Sequence, residues 1–113
     1  MSCIFCQIAS KTIPAKVVLE TDSILAFEDV NPQAPVHVLV IPKQHRASLL
    51  DFGQNDATLF GDLMQAIQTV ARQTGVAESG FRVVTNTGPD GGQTVDHVHF
   101  HVLGRRSLTW PPG

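Results

Sequence analysis

The sequence predicts an α+β domain, with a five-stranded antiparallel sheet, one main helix and a short N-terminal helix. Strand-like segments follow one another along the chain, and only one stretch has the apolar periodicity of a long helix. The 113 residues are enough to bury one substantial core. We therefore expect a single domain over 1–113, with an N-terminal hook at 1–10 and a C-terminal tail at 104–113.

Five segments are rich in apolar and β-branched residues and are bounded by turn-forming residues. They are 16–20, 24–29, 36–41, 81–85 and 95–103. Pro32 and Pro35 make the stretch before the third segment a loop, because proline cannot pair regularly in a sheet. The third segment is a β-branched run that ends at Pro42, and we expect it to be a central strand.

The long helix is predicted to begin near Asn55 and Asp56, which are both good N-cap residues. Gly75 is a natural residue to end it. Between these limits, apolar residues recur at i, i+3 and i+4 and form one stripe. The stripe consists of Leu59, Phe60, Leu63, Met64, Ile67, Val70 and Ala71. A single short helical turn is expected over 5–10.

The charge pattern limits the classes of partner. The chain has eight Lys and Arg residues, no basic run and a net charge of −2. Nucleic-acid binding is therefore not expected, because it needs clustered cations. The first residues lack the pattern of a signal peptide, and no apolar run approaches the roughly 20 residues that span a bilayer. We expect a cytoplasmic protein without a membrane partner.

His97, His99 and His101 occupy alternate positions within the last strand-like segment. Alternate side chains share one face of a strand, so three imidazoles are expected in a row, with apolar residues on the opposite face. His97 and His101 would lie roughly 13 Å apart along such a strand. No single metal ion can bind all three, because zinc holds histidine nitrogens at about 2.0–2.1 Å.

Cys3 and Cys6 form a CxxC pair. Two thiolates supply half of a tetrahedral zinc site, which then needs two nitrogen ligands. His37, His45 and the histidine row all offer such nitrogens, and spacing alone does not choose among them. The alternative is a pair of reduced thiols in an apolar hook. A redox CxxC is disfavoured because there is no room for a strand before Cys3.

The middle imidazole of the row suits nucleophilic attack on phosphorus, since a neutral histidine carries a free lone pair at physiological pH. The glycine-rich loop 86–94 precedes the row and can bring backbone N–H groups close to one phosphoryl group. A plain hairpin turn is the alternative for this loop. Asp29 could bind a ribose diol or cap the following turn, and the residues alone favour the cap. His37 could be a core histidine or lie beside the row.

The segment 97–103 matches the histidine-triad signature, His-φ-His-φ-His-φ-φ with φ apolar. Further matching motifs cover nearly the whole chain. They are Ile13-Pro14-Ala15-Lys16, Ala26-Phe27, Asn31-Pro32-Gln33-Ala34-Pro35, Val40-Ile41-Pro42-Lys43, Asp90-Gly91-Gly92-Gln93 and Trp110-Pro111-Pro112-Gly113. On these motifs the chain resembles the Hint branch of the histidine triad (HIT) superfamily, whose members are nucleotide-binding phosphoramidases that form homodimers.

The resemblance implies a role for each matching position. His99 would be the nucleophile that takes up a nucleoside monophosphate, with His101 and His37 hydrogen-bonding around the phosphate. A structural zinc ion would be bound by Cys3, Cys6, His45 and His97. No organic cofactor is implied.

The resemblance also implies the nucleotide contacts. The α-phosphate would be held by Asn86, Gly92, Gln93 and Thr94, and the ribose by Asp29. The purine pocket would be lined by Phe5, Ile8, Phe27 and Val30. Trp110 would reach across the dimer interface toward the partner's site.

Four positions depart from the pattern of the Hint branch. Asn31 and Thr94 stand where serines are frequent, and both keep hydrogen-bonding capacity. Asp96 replaces a frequent aromatic residue and is expected to point away from the histidines. Arg105 replaces a glycine, which could alter access for the leaving group.

Four hypotheses for the function follow. The first is a hydrolase that cleaves purine nucleoside 5'-phosphoramidates through a nucleotidyl-histidine intermediate. The second is related chemistry, such as dinucleotide polyphosphate hydrolysis or nucleotidyl transfer. The third is a non-catalytic nucleotide-binding scaffold dimer. The fourth is a zinc-dependent hydrolase, which is disfavoured because four protein ligands would leave no open position on the metal.

Overall fold

The computed structural model describes residues 3–113 and contains a five-stranded sheet in the order β1-β2-β3-β5-β4, with every neighbouring pair antiparallel. The strands are β1 (Val17–Glu20), β2 (Ile24–Glu28), β3 (Val36–Pro42), β4 (Phe81–Val84) and β5 (Phe100–Gly104). The helices are α1 (Ile4–Ala9), α2 (Ala57–Gln73), α3 (Val76–Ser79) and α4 (Gly88–Gly91), and 3-10 turns cover Leu49–Asp51 and Gln54–Asp56. The predicted α+β class and its strands are confirmed.

Both faces of the central strands are covered by apolar side chains. Successive residues of a strand point to opposite faces, so each central strand contributes to two clusters. The long helix α2 packs on one face, where the buried residues include Ile24, Ala26, Val38, Val40, Leu63, Val70, Phe100 and Val102. The short helix α1 packs on the other, where they include Phe5, Ile8, Leu25, Phe27, Leu39 and Ile41. The histidines lie on the α1 face, which makes that face the location of the site.

The histidine strand is shorter than predicted. β5 begins at Phe100 instead of residue 95, so His97 and His99 precede the sheet and only His101 lies within it. The peptide N–H of Val98 donates to the carbonyl of Arg46 at 2.7 Å, and Arg46 lies outside the strands of the sheet. The three imidazoles are therefore not a regular row on one strand.

The long helix starts where predicted, with Asp56 at the N-cap position, but the expected side-chain cap does not form. α2 begins at Ala57, and residues 54–56 form a 3-10 turn before it. Asp56 does not cap the helix with its side chain, because its carboxylate accepts from the N–H of Gly53 at 3.0 Å and from Arg46 at 2.8 Å. At the other end, Gly75 has φ +82°, as expected for the residue that ends a helix.

No helix within residues 3–113 combines the length and the apolar character required to cross a membrane.

Candidate active site and metal cluster

His37 and His101 form the centre of the candidate active site. His37 lies on β3 and His101 on the neighbouring β5, where the two positions are diagonal in the antiparallel register. Their ring nitrogens, Nε2 of His37 and Nδ1 of His101, are 2.8 Å apart. This is a hydrogen bond between two imidazoles, so one ring must donate and the other must accept.

The backbone decides the direction of that bond. The N–H of Gln33 donates to Nδ1 of His37 at 3.0 Å, so this nitrogen carries the lone pair. The neutral His37 ring is therefore protonated at Nε2 and donates to Nδ1 of His101. His101 in turn keeps its proton on Nε2. These tautomers are assigned from the hydrogen-bond pattern.

His99 is held in the complementary tautomer. Its Nδ1 lies 2.8 Å from the main-chain oxygen of His97, which can only accept, so Nδ1 carries the proton. Nε2 of His99 then bears the lone pair. The His99 ring packs edge-on against Phe5, with 5.1 Å between ring centroids, and at the same distance against His101. The arrangement therefore presents one nucleophilic nitrogen beside one N–H donor.

Burial keeps the imidazoles of His37 and His101 neutral. The pKa of His101 is lowered to about 4, chiefly by burial and further by the charges of His99 and His37. Burial also lowers the pKa of His37, against the opposing influence of the Asp29 carboxylate, whose Oδ2 lies 3.4 Å from Nε2 of His37. Neutral rings at physiological pH are what a nucleophile and a hydrogen-bond relay require.

Asp29 interacts with the turn that follows it. Its Oδ1 accepts from the N–H of Asn31 at 2.8 Å, which is the capping interaction favoured by the residues alone. Asp29 also lines the cavity described next. The Asp29 side chain therefore both caps the turn and lines the cavity.

An open cavity of about 820 Å³ lies beside His99 and His101. Several predicted site residues line it, namely Phe5, Ile8, Phe27, Asp29, Val30 and Thr94. Val30 is fully exposed and stands at its rim. The lining residues that the sequence analysis did not single out as contacts are Ile4, Ile13, Pro14, Ala15, Lys16, Glu28, Leu39 and Val95. The alternation on β3 could have identified Leu39, since it lies on the same face as His37.

The loop 86–94 is held by the Gln93 side chain. Its Oε1 accepts from the N–H of Gly88, and its Nε2 donates to the carbonyls of Ala47 and Val95, at 2.7 and 3.0 Å for the last two. The loop is not a plain hairpin turn, because residues 88–91 form the helical turn α4. Asn86, Gly92 and Gln93 do not line the cavity.

Trp110 and Arg105 do not line the cavity either. Trp110 is 79% exposed within the single chain. The Arg105 guanidinium donates to the carbonyl of Thr74 through Nη2 at 2.9 Å, at the C-terminal end of α2. Arg105 has φ +67°, a conformation that favours glycine. This explains why the pattern of the Hint branch has glycine at this position. The expectation that Arg105 alters leaving-group access therefore receives no support from its placement.

Cys3, Cys6, His45 and His97 form a cluster whose possible ligand atoms all lie within 4.8 Å of one another. Nδ1 of His97 is 3.3 Å from Sγ of Cys3 and 3.5 Å from Sγ of Cys6, and the Nδ1 atoms of His45 and His97 are 3.1 Å apart. The edges of a tetrahedral zinc site with two sulfur and two nitrogen ligands are about 3.6 Å for S–N and about 3.4 Å for N–N, from the usual bond lengths. The four residues therefore fit a metal site of this type.

The surroundings of His97 support this arrangement. Its Nε2–H donates to the carbonyl of Pro42 at 2.8 Å, so Nδ1 carries the lone pair that faces the thiols. His97 is fully buried, and burial lowers its pKa and keeps the ring neutral. The pKa of the Cys6 thiol is raised by burial and by the neighbouring Cys3, which is the situation that a bound cation relieves.

Asp29, His37 and His101 form a second group of possible ligands. Here the facing nitrogens of the two histidines are only 2.8 Å apart and already share a proton. This separation suits a hydrogen bond and is shorter than the N–N edge of about 3.4 Å expected at a metal.

The five-stranded antiparallel fold, with His37, His99 and His101 close together beside a cavity, defines a class of protein. The HIT domain profile matches residues 10–108. The chain belongs to the HIT family and to its Hint branch.

Three similar proteins cover 97% of this chain. An uncharacterized HIT-like protein of Synechococcus elongatus is 54% identical, with 96% of its own length covered. Adenylylsulfatase HINT1 of Arabidopsis thaliana is 46% identical, with 76% of its length covered. A 14 kDa zinc-binding protein of Brassica juncea is also 46% identical, with 98% covered.

Two solved structures are similar as well. A HIT family hydrolase from Legionella pneumophila has a TM-score of 0.96 at 46% identity, over 99% of this chain and 100% of that one. A histidine triad nucleotide-binding protein from Candida albicans has a TM-score of 0.84 at 32% identity, over 97% and 83%.

Proposed function

We propose that the protein hydrolyses purine nucleoside 5'-phosphoramidates through a covalent nucleotidyl-His99 intermediate. The observation that carries this proposal is the tautomer of His99, because its Nδ1–H is bound by the His97 carbonyl and its Nε2 is free to attack. The reactive ring borders a cavity of about 820 Å³, within the range of small-ligand sites.

The chemistry takes place in two displacements. In the first, Nε2 of His99 bonds to phosphorus and the P–N bond breaks. The departing nitrogen takes a proton from solvent and leaves as the amine, while the Nε2–H of His101, held in orientation by His37, donates a hydrogen bond to the phosphoryl group. In the second, water replaces His99 on phosphorus, releases the nucleoside monophosphate and gives up a proton to solvent.

The residues around the cavity support a binding position for each part of the nucleotide. The purine would lie against Phe5, Ile8, Phe27 and Val30, and the ribose hydroxyls beside Asp29. The phosphate would contact the Thr94 hydroxyl and the loop that contains Asn86, Gly92 and Gln93. Because the Gln93 side-chain amide holds that loop and its backbone N–H donates to the Gly88 carbonyl at 3.1 Å, we expect Gln93 to act on the phosphate by shaping the loop.

A second candidate is hydrolysis of a nucleoside 5'-phosphosulfate, which is favoured by the name of the Arabidopsis relative, an adenylylsulfatase. The same nucleophile would serve, with sulfate as the leaving group.

Dinucleotide polyphosphates are less well supported, because a long phosphate chain needs cations, and the guanidinium groups of Arg105 and Arg106 already donate to the carbonyls of Thr74 and Gln33. A scaffold without catalysis would leave the alignment of His99 and His101 unused.

The test is to mix the protein with adenosine 5'-phosphoramidate or adenylyl sulfate, quench rapidly and measure the protein mass. We expect one attached AMP and turnover of at least one substrate, and His99→Gly should lose both. Normal turnover by His99→Gly would show that the nucleophile is another residue. An absence of adduct and of turnover with both substrates would favour the scaffold.

We also propose that Cys3, Cys6, His45 and His97 bind a structural zinc ion. The distances support it, and the Brassica juncea relative carries the name of a zinc-binding protein. Four protein ligands fill a tetrahedral site, so the bound ion supplies stability and not an open coordination position. Elemental analysis should find one zinc per chain in the wild type and none in Cys3→Ser.

The last part of the proposal is a homodimer formed through the β4 edge. Phe81 and Val83 on this edge strand are each 40% exposed, and unpaired apolar edges favour association. The other edge, β1, ends at Glu20, which pairs with Lys11 and Lys43. Sedimentation analysis should find a dimer in the wild type and a monomer in Val83→Lys, and a monomeric wild type would contradict this mode of assembly.

A further inference from the structure

His97 belongs to both the metal cluster and the candidate active site. Its imidazole Nδ1 faces the two thiols and His45, at 3.1–3.5 Å. Its main-chain oxygen accepts the Nδ1–H of His99 at 2.8 Å. One residue therefore places its side chain in the first site and its backbone in the second.

The peptide unit between His97 and Val98 is the physical link. Its carbonyl binds His99, and its N–H donates to the carbonyl of Arg46 at 2.7 Å. Arg46 directly follows His45, the other imidazole of the cluster. A cation held by His45 and His97 would thus restrain the chain on both sides of this peptide unit, and so fix the direction of its carbonyl.

Strand pairing within the sheet does not hold the His97 carbonyl in place. The sheet begins only at Phe100, so residues 95–99 have no strand partner that would fix the peptide planes. The local anchors are the Val98 N–H bond to the Arg46 carbonyl and two side-chain bonds, from the His97 ring to Pro42 and from Thr85 to the His99 carbonyl. The orientation of the His97 peptide is therefore sensitive to the state of the cluster.

The cluster also holds one wall of the cavity. Cys3 and Cys6 flank the start of α1, which supplies Ile4, Phe5 and Ile8 to the lining. A helix of six residues is not stable by itself, so α1 depends on its attachments to the sheet. The Phe5 ring packs edge-on against both His97 and His99, at 6.0 and 5.1 Å between centroids.

From these contacts we propose that His97 is a positioning residue, and that occupation of the cluster by a metal ion sets the tautomer and orientation of the His99 ring. The consequence for catalysis rests on the proposed function, because it assumes that His99 is the nucleophile. Without the ion, the His97 peptide is less restrained, its hydrogen bond to His99 is broken in part of the molecules, and the proton of the His99 ring redistributes between Nδ1 and Nε2. The lone pair on Nε2 is then available in only part of the molecules.

The experiment measures the tautomer directly. Protein labelled with 15N-histidine is compared in the zinc-loaded and chelator-treated forms, and the His99 ring signals are assigned through His99→Gly. We expect a ring protonated only at Nδ1 in the loaded protein. The metal-free protein should show a mixture of tautomers and an AMP adduct that forms about 10- to 100-fold more slowly, the usual effect of disturbing such supporting contacts.

Two variants separate the metal from general loss of stability. His45→Ala removes one ligand of the cluster and leaves His97 and α1 unchanged, and it should reproduce the mixed tautomer even with zinc present. Val76→Ala, which is buried on the α2 face, lowers stability without touching the cluster, and it should keep the single tautomer.

The proposal is overturned if the His99 tautomer is the same in loaded and metal-free protein, or if the cluster takes up no zinc. These outcomes are distinct from failure of the proposed hydrolysis. A loaded protein that forms no adduct would refute the nucleotidyl-histidine chemistry, whereas the NMR comparison would still decide the role of His97.

Discussion

At the scale of single residues, the backbone determines which nitrogen of each histidine carries a proton. The N–H of Gln33 orients His37, and the carbonyl of His97 orients His99. Strand alternation predicted that His99 and His101 would share a face and that the middle ring would suit a nucleophile. It did not predict the tautomers, because these depend on loop peptides that approach from outside the histidine segment.

Thr85 is a residue that sequence reasoning missed. Its hydroxyl donates to the His99 carbonyl at 2.9 Å, next to the peptide that holds the nucleophile. Thr85→Val keeps the shape and removes the donor, so we expect a loss of about 1 kcal/mol in the free energy of unfolding and a several-fold lower kcat. Urea denaturation and steady-state kinetics measure the two effects.

Thr69→Val provides the matched control, because the Thr69 hydroxyl donates to a carbonyl of its own helix on the exposed face. It should leave kcat unchanged. If both variants have the same kcat as the wild type, the Thr85 hydroxyl has no part in aligning His99.

At the scale of elements, the local pattern was sufficient for the strands and the long helix but not for where β5 begins. The apolar alternation of 95–103 is that of a strand, yet the N–H of Val98 donates to the carbonyl of Arg46, and the Gln93 side chain just before the segment donates to that of Ala47. Those partners are about half the chain away in sequence, so no local window contains them. The same holds for Asp56, whose carboxylate binds Arg46 and Gly53 in place of capping α2.

Arg105 connects two elements, and its two effects on stability oppose each other. Its guanidinium donates through Nε and Nη2 to the carbonyl of Thr74, the C-cap residue of α2, whereas its positive φ costs about 1 kcal/mol for a residue other than glycine. Arg105→Ala loses the bonds and keeps the strain, so we expect it to destabilise by about 1–2 kcal/mol. Arg105→Gly relieves the strain and should lie within about 0.5 kcal/mol of the wild type.

Urea denaturation of both variants tests this balance. A glycine variant that is as unstable as the alanine variant would show that backbone strain at residue 105 is unimportant. The ratio kcat/KM for the phosphoramidate should stay the same in both, and a clear change would restore the expectation that Arg105 affects the leaving group.

At the scale of the whole molecule, the metal cluster joins residues from the N-terminal hook, the segment after β3 and the segment before β5. The CxxC spacing indicated two ligands, but the choice of His45 and His97 came from the resemblance to the Hint branch. Only the tertiary arrangement of these segments brings the four side chains together. The dimer and the partner-side role of Trp110 depend on a second chain, and they stay predictions.

Buried histidines make the stability of the fold depend on pH. The pKa of His101 is about 4, and that of His37 is lowered as well, both chiefly by burial. As the pH falls, these rings take up protons near pH 6.5 in the unfolded chain and only at a lower pH in the folded protein. Stability is therefore complete above pH 6.5 and decreases as the pH falls toward 4.

We expect the decrease to be about 1–2 kcal/mol after solvent screening, measured by urea denaturation of metal-free protein. The Glu20 carboxylate, whose pKa Lys11 and Lys43 lower to about 2, takes up protons in the unfolded chain near and below pH 4.5 and so contributes only at the lower end of this window. The variant His101→Gln should show a smaller decrease between pH 6.5 and 4. A decrease of equal size would assign the effect to groups other than His101.

The two-sided sheet has a consequence for how this protein tolerates substitution. Within β2, Ile24 and Ala26 pack on the α2 face, whereas Leu25 and Phe27 pack on the α1 face, where Phe27 lines the cavity, so neighbouring positions in the sequence serve different parts of the structure. Substitutions on opposite faces share few partners, and their effects on stability are expected to add within about 0.3–0.5 kcal/mol. Substitutions on the α1 face can therefore change which ligands the protein binds. The packing on the α2 face then maintains the free energy of unfolding that such substitutions lower.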